Sequence, residues 1–353
     1  MSPTDIVRGI NTITQKQMLP KVSQRWAKQF SFGLQAYGLR AFQSATGNAR
    51  MVVSNTNTAS RKSERLLANT GLADQLGTIF DTFKLVKPSS FVNIDHSDMH
   101  GLLALVGALQ TRKGRAVPCM VEATYASTIP AAGSKKSTPR LQRLRNAMVA
   151  SRKWQSFTGH TINALQDMHD RLGFWPKLVF DRGFGNESLV THLNAEGCIF
   201  YVRLKGGRFV EFDGQKTEVS RLKEKDAKVQ LFGLTLRVIR SPKSRRAKEP
   251  WYILTNDFSS SRTKIVKIYY HRFEIEETFR DIKHIFEYKR TRLNKPNSLK
   301  VLLWLVSLGI ALLYLVTKPT IQVAHHPKKR TSWLRQAYEQ LQQAYGQLLW
   351  GGV

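Results

Sequence analysis

The sequence YYHRFEIEETFRDIK, residues 269–283, places four polar side chains at helical spacings. They follow the pattern Y-x2-R-x3-E-x6-K, formed by Tyr269, Arg272, Glu276 and Lys283. At about 100° per residue, the last three lie roughly 300°, 340° and 320° from Tyr269. One continuous helix would therefore place a carboxylate between two cations on a narrow stripe. On spacing alone, the pattern also fits a solvated face with a salt bridge from Arg272 to Glu276.

Two aspartates upstream of this segment follow strand-like runs. The buried strand predicted from SFVNID ends at Asp95, and the apolar run LVF precedes Asp181. Strand alternation favours Asp95 over Asp98 as the functional acid. A helical carboxylate that faces two strand-end aspartates would form a site for a divalent metal ion.

Three motifs in this chain resemble those of the DDE transposases of the insertion-sequence-4 group. In that group the Glu of Y-x2-R-x3-E-x6-K is the third catalytic acid, which corresponds to Glu276 here. VFDRGF (residues 179–184) resembles the second-acid motif, and NIDHS (residues 93–97) resembles the first. In the first motif the Asp is often followed two residues later by Ser or Thr, as Asp95 is by Ser97, which also favours Asp95 over Asp98. The resemblance covers about residues 91–316, and the first 85 or so residues carry no comparable motif.

The resemblance implies an α/β fold with an RNase H-like mixed sheet, helices, and a β-rich insertion between the second and third acids. Apolar residues before residue 86 recur at three- and four-residue intervals, which predicts a preceding helical domain. The predicted domains are a helical N-terminal DNA-binding domain (1–86), an RNase H-like catalytic domain (87–205 and 258–318), a β-strand insertion (206–257) and a C-terminal helical segment (319–353).

The resemblance also implies the cofactor and the reaction. Asp95, Asp181 and Glu276 would be the catalytic acids and would bind Mg²⁺, with Mn²⁺ as a substitute. Carboxylate oxygens suit these hard cations, so we interpret His96 and His100 as neighbours or DNA contacts. The expected reaction is cleavage at transposon ends followed by strand transfer into target DNA.

Further residues are predicted to contact DNA. Trp251 would stack on a displaced base, or it would be an ordinary core residue of a strand. The others would orient or meet phosphates, and they are Tyr269, Arg272, Lys283 and Arg182.

The charge of the chain predicts a polyanionic partner. Lys and Arg total 55 against 25 Asp and Glu, which gives a formal charge of +30. Cations spread along the whole chain favour nucleic acid, contacted through its phosphates. The resemblance implies that this is double-stranded DNA, both transposon ends and target, and that a homodimer on DNA cuts two ends together. Two distant cysteines fit a reducing compartment, and the resemblance implies the bacterial cytoplasm and the nucleoid.

The apolar run at residues 301–316 requires a choice between a membrane span and a core helix. Its 16 residues fall short of the roughly 20 that span a bilayer, so we predict a core helix and no membrane partner. The N-terminal sequence MSPTDIVRG lacks the apolar segment of a secretory signal.

Two other functions use the same sequence features. An RNase H-like nuclease or resolvase would share the metal chemistry and stop at hydrolysis. A non-catalytic DNA-binding protein derived from a transposase would keep the fold without the reaction. The three acids and the complete four-residue pattern favour the transposase.

Overall fold

The computed structural model describes residues 3–40, 45–99, 101–125, 156–242, 249–288, 293–317 and 332–350. The chain divides into two compact units. We call Val86–Asp95 with Gln155–Phe273 the sheet unit. We call Met1–Leu85, His96–Trp154 and Glu274–Val353 the helix-rich unit.

The strands of the described residues follow the alternating and apolar runs of the sequence. In chain order they are β1 (Phe91–Met99), β2 (Leu102–Leu109), β3 (Val117–Tyr125), β4 (Lys177–Phe180), β5 (Phe200–Leu204), β6 (Phe209–Phe212), β7 (Gln215–Glu218), β8 (Asp226–Leu231), β9 (Leu234–Arg240) and β10 (Tyr252–Thr255).

Most of the described α-helices lie before β1 or after β10. In chain order they are α1 (Pro3–Ile13), α2 (Gln24–Gly33), α3 (Ala45–Arg50), α4 (Thr56–Leu67), α5 (Thr70–Asp81), α6 (Phe157–Leu172), α7 (Glu187–Ala195), α8 (Arg262–Tyr270), α9 (Phe273–His284), α10 (Pro296–Thr317) and α11 (Trp333–Trp350).

The sheet unit contains a mixed, mostly antiparallel sheet. Its strand order is β1-β4-β5-β10-β9-β8-β6-β7, in which residues 91–94 of β1 pair with β4. β1, β4 and β5 are mutually parallel, whereas the remaining pairs are antiparallel. Helix α8 packs on this sheet through Ile265, Ile268 and Tyr269, which share a core cluster with strand residues. The parallel part of the sheet therefore carries both predicted aspartates.

Local sequence signals explain the connections next to the predicted second acid. Asn186 caps α7, because its Oδ1 accepts a hydrogen bond from the Leu189 amide at 3.1 Å. Elsewhere in the sheet unit, β8 and β9 form a hairpin through Phe232 and Gly233, whose φ angles are positive, 57° and 72° respectively. A two-residue hairpin turn of this kind matches the twist of its strands.

The helix-rich unit is organised around α10. This helix packs against α1, α4, α5, α11 and the antiparallel pair β2–β3. It is long and apolar enough to cross a membrane, yet 83% of its most apolar 18-residue window is buried within the protein. Helix α10 is therefore buried as a core helix would be, which is what we predicted for residues 301–316.

The predicted continuous helix over residues 269–283 is wrong. Helix α8 ends at Tyr270, His271 and Arg272 form a turn, and α9 begins at Phe273. The His271 carbonyl accepts a hydrogen bond from Asn93 Nδ2 at 3.1 Å, which fixes this turn to β1. The four residues of the pattern therefore lie on two helices and the turn between them.

Two smaller expectations also fail. β1 continues to Met99, so Asp95 is not the last residue of its strand, although pairing with β4 ends one residue earlier, at Ile94. The alternation in VQLFGLTLRVIR, residues 229–240, predicts a strand or hairpin that exposes Arg237 and Arg240, but the side chain of Arg237 is buried. Its guanidinium pairs with Asp226 and donates to the carbonyls of Asp257 and Ser260, so it stabilises the loop before α8.

Candidate active site

The sheet places the first two predicted acids at equivalent positions on neighbouring strands. β1 and β4 are parallel, and their last paired residues are Ile94 and Phe180. Asp95 and Asp181 follow directly, and both side chains are partly exposed. Polar groups at the carboxyl ends of parallel strands are where α/β sheets bind ligands. Two carboxylates thus share one edge of the parallel pairing.

The two aspartates of the first motif point to opposite faces of β1. Side chains alternate along a strand, so Asn93 and Asp95 share one face and Asp98 lies on the other. The face of β1 that carries Asn93 and Asp95 contacts the turn formed by His271 and Arg272. Asn93 bonds the His271 carbonyl, and Asp95 Oδ2 lies 3.7 Å from Arg272 Nη1. The choice of Asp95 over Asp98 stays a prediction, and this geometry favours it.

Arg272 is a buried cation beside the first acid. Its side chain is only 3% exposed. The guanidinium carbon lies 4.7 Å from the ring centroid of Phe273 and 5.8 Å from that of Tyr269. Guanidinium groups are stabilised over aromatic faces, and the ion pair with Asp95 compensates part of the cost of burial. The positive charge is therefore held in one place next to the carboxylate.

Tyr269 lies within electrostatic reach of several site residues. Burial raises the pKa of its hydroxyl well above the usual value, and nearby Asp181 raises the pKa further. The positive charges of Arg272 and Arg203 oppose this shift. The hydroxyl is consequently neutral at physiological pH and keeps its proton as a hydrogen-bond donor.

Arg203 is a site residue that the sequence analysis missed. β4 and β5 are parallel with Phe180 opposite Val202, so Arg203, which lies within β5, is level with Asp181 just after β4. Asp95, Asp181 and Arg203 therefore form one row across three parallel strands. The available signal was a single cation in the otherwise apolar strand sequence FYVRL.

The remaining predicted DNA contacts of the sheet unit differ in exposure. Arg182 begins the short turn after Asp181 and is exposed. Trp251 is partly buried, and its ring centroid lies 5.4 Å from that of Tyr269 and 5.6 Å from that of Phe273. Because Trp251 packs on the core cluster of the sheet unit, a packing role accounts for its position. A DNA contact by Trp251 stays a prediction.

Glu276 and Lys283 lie on α9 in the helix-rich unit. They are seven residues apart and so face the same side of the helix. The opposite side is anchored to the loop after β2. Glu274 accepts hydrogen bonds from the amides of Thr111, Arg112 and Gly114 at 2.9–3.3 Å. This anchoring leaves Glu276 exposed and Lys283 partly exposed.

Further contacts hold the same side of α9. Thr278 bonds the backbone of Ala116 in both directions, and Arg115 Nε donates to Asp281 Oδ2 at 2.6 Å. Glu274, Thr278 and Asp281 recur at helical spacing, which explains why all three are buried. Helix α9 is therefore fixed by its polar buried face, and Glu276 projects from the other face.

The donor chemistry of the predicted acids suits a hard divalent cation. Asp95 and Asp181 offer carboxylate oxygens from adjacent, partly exposed positions. Within the ranges described above, no group of three or more His, Cys, Asp or Glu side chains is arranged to hold a metal ion. His96 is exposed, and His100 lies outside the described residues.

Comparison with known proteins supports one class. Residues 158–313 match the family described as Transposase DDE domain, a match that spans less than half of the chain. It includes Asp181, Glu276 and the rest of the pattern of residues 269–283, and it begins after Asp95. The family match supports the interpretation of this chain as a DDE transposase.

Other comparisons add little to this result. Among solved structures, the chain is similar to the piggyBac transposase synaptic complex with hairpin DNA, at 10% identity and a TM-score of 0.34. That similarity covers 100% of this chain and 80% of the other, and it is too low to support a conclusion about fold. No curated protein has a significant sequence match to the chain.

Proposed function

We propose that this protein is a DDE transposase of the insertion-sequence-4 group with an RNase H-like catalytic domain. It cleaves DNA at transposon ends and transfers the freed strand into target DNA. The observation that supports this most is the paired position of Asp95 and Asp181 on parallel strands, with Arg272 fixed beside Asp95. The match to the Transposase DDE domain includes Asp181 and Glu276 and agrees with this assignment.

Asp95, Asp181 and Glu276 are the proposed ligands of Mg²⁺, with Mn²⁺ as a substitute. Bound there, divalent cations would activate the attacking oxygen and stabilise the leaving oxygen of an in-line displacement. In the first step, water attacks a phosphorus at the transposon end, and the 3′ oxygen leaves as a hydroxyl. In the second step, that hydroxyl attacks a target phosphodiester, and the target strand is released with its own 3′ hydroxyl.

The cations and the tyrosine of the site position DNA in this proposal. Arg272 is buried and fixed, so it offers a phosphate oxygen a charge that needs no reorganisation on binding. Tyr269 contributes a neutral O–H donor, and Lys283 contributes a more mobile charge on the face of α9 that carries Glu276. Arg182 is exposed next to Asp181 and meets the neighbouring phosphate.

The proposed partners are double-stranded transposon ends and target DNA. The formal charge of +30 supports a polyanionic partner. Concerted cutting of two ends requires a homodimer on DNA, and the expected location is the bacterial nucleoid. Residues 1–86, rich in helices and cations, are the proposed DNA-binding domain.

A joining assay tests the proposed function. Purified protein is incubated with labelled DNA that carries the ends flanking its own gene, a target plasmid and Mg²⁺. We expect joined products from the wild type and none when Mg²⁺ is chelated. Glu276→Gln should abolish cleavage and joining while DNA binding stays largely intact, because only one exposed carboxylate changes.

The same assay separates the alternatives. Cleavage without joining would replace the proposal with a nuclease or resolvase. DNA binding without either reaction would indicate a protein that has kept the fold only. Full activity of Glu276→Gln would contradict the assignment of the third acid.

A further inference from the structure

We propose that the surface of the β6–β7 hairpin around Phe209, the first residue of β6, binds single-stranded DNA by stacking a base on the Phe209 ring. The hairpin surface comprises Lys205, Arg208, Phe209, Lys216 and Phe232, all within the sheet unit. The inference depends on the proposed function only in taking DNA as the partner. The proposed binding surface for an unpaired DNA strand includes none of the three predicted acids and none of residues 269–283.

The hairpin surface exposes aromatic area that the fold does not bury. Phe209 is 48% exposed, and Phe232 is partly exposed. Both rings and Lys216 line one open groove. An isolated exposed phenylalanine needs no explanation, but two rings that share a groove with a cation form a local binding surface.

Cations lie directly beside these rings. Lys216 Nζ is 5.3 Å from the ring centroid of Phe209, and the Arg208 guanidinium carbon is 5.7 Å from that of Phe232. An adjoining depression is lined by Lys205, Gly207, Arg208, Phe209 and Lys216. Its lining has three cations and no carboxylate, so it attracts phosphates.

The nearby acids do not line this depression, although Glu211 lies opposite Lys216 in the pairing of β6 with β7. Glu211 lines the groove shared by the two rings, and Asp213 occupies the turn of the hairpin. Glu218 already pairs with Arg221, at 3.3 Å. A backbone that passes through the depression therefore meets Lys205, Arg208 and Lys216, while its base reaches Phe209.

The hairpin surface is built on short, well-defined turns. Asp213 and Gly214 close β6–β7 with positive φ angles of 49° and 74°. The β8–β9 turn, Phe232 and Gly233, lies at the other end of β6, next to Phe209, because Glu211 pairs with Gln230 in antiparallel register. Arg208 Nη2 also donates to the Gly185 carbonyl at 3.1 Å. This hydrogen bond already orients the Arg208 guanidinium, so binding costs less to immobilise that side chain.

This combination favours single strands over duplex. In a duplex the faces of the bases are already stacked on their neighbours, whereas in a single strand they are available to an aromatic ring. Proteins that bind single strands without sequence preference combine cations along the backbone with aromatic stacking platforms. Arg208, Lys216 and Phe209 supply both components.

Fluorescence anisotropy with a labelled single-stranded oligonucleotide of mixed sequence tests this inference. The buffer contains EDTA, so neither metal binding nor cleavage contributes. We expect Phe209→Ala to raise the Kd for the single strand about 5- to 140-fold, the range expected for loss of one base–aromatic stack. Phe209→Trp should restore binding because it restores a stacking surface.

The matched control is Phe258→Ala, because Phe258 is a similarly exposed phenylalanine (52%) of the sheet unit outside the hairpin surface. It should leave the Kd unchanged. Lys216→Gln should make the salt dependence of log K for the single strand shallower by about 0.7, as expected for one lost phosphate contact. The Kd for the matching duplex should not change with Phe209→Ala.

Several results would overturn the inference. The inference fails if Phe209→Ala leaves the Kd for the single strand unchanged, or changes it no more than Phe258→Ala does. It also fails if Phe209→Ala raises the Kd for the duplex equally, or if Lys216→Gln leaves the salt dependence unchanged. These outcomes are distinct from failure of the proposed function. A protein that binds single strands through Phe209 but never joins DNA would defeat only the transposase assignment.

Discussion

Asp181→Asn should reduce the rate of DNA cleavage by about 10²- to 10³-fold or more, the scale seen when one preorganised electrostatic group is removed from an active site. The substitution keeps the shape of the side chain and removes the negative charge that the proposed cation needs. Asp181 is partly exposed and lies after β4, so the fold should tolerate the change. The measurement is the initial rate of cleavage of end-labelled DNA in Mg²⁺.

The matched control for this substitution is Asp167→Asn. Asp167 is an exposed aspartate on α6 in the same unit and has no proposed role. Its removal changes the net charge by the same amount, so it corrects for a general gain in DNA affinity. Equal cleavage rates for Asp181→Asn and Asp167→Asn would remove Asp181 from the catalytic site.

Gly309→Ala should destabilise the helix-rich unit by at least about 3 kcal/mol, the upper part of the usual range for overpacking. Gly309 lies in α10, where a methyl group would lie 2.7 Å from the carbonyl carbon of Gly38 and closer still to its oxygen. Both contacts are backbone atoms, so no side-chain rotation relieves the clash. Urea unfolding followed by circular dichroism measures the change.

Gly71→Ala is the appropriate control for this prediction. Gly71 is also helical, but a methyl group there would make only ordinary contacts, the nearest at 3.6 Å from Trp26. Alanine has the higher helix propensity by about 1 kcal/mol, so this control should be neutral or stabilising. Similar stability of the two variants would contradict the close packing of Gly309 on Gly38.

Local sequence patterns predicted much of the sheet unit. The apolar run LVF before Asp181 predicts β4, the run CIFYVRL (residues 198–204) predicts β5, and the sequence predicts a helix from about Asn186, where α7 begins one residue later. In the helix-rich unit, the apolar runs GLLALVGALQ (residues 101–110) and AVPCMVEATY (residues 116–125) predict two antiparallel strands, which β2 and β3 confirm. The predicted core helix is confirmed as α10. In each case neighbouring residues carry the signal, either through burial of one face or through a cap.

The features that were wrong or missed depend on residues far apart in the chain. Helical spacing continues through residues 269–283, but the turn at His271 is bonded to Asn93, 178 positions away. Arg237 looks exposed by alternation, yet its charge is compensated by Asp226 on the neighbouring strand. Arg203 gains its position from the register of β5 on β4, which periodicity does not reveal.

The predicted acids show the same difference between features set by neighbouring residues and features set by distant contacts. Strand ends identified Asp95 and Asp181, and strand pairing then placed them side by side. Glu276 was identified from a pattern that assumed one helix, whereas its exposure depends on the bonds that fix the opposite face of α9 to Thr111, Arg112 and Gly114. Spacing can nominate such residues, but contacts between distant segments determine what they face.

The most direct test of the account is the yield of joined DNA from Asp95→Asn compared with Asp98→Asn. The two aspartates lie three residues apart on β1 and face opposite sides of it. We predict that Asp95→Asn forms no joined product in Mg²⁺ and that Asp98→Asn joins DNA at the rate of the wild type. Loss of joining only in Asp98→Asn, or normal joining by Asp95→Asn, would contradict the proposed site.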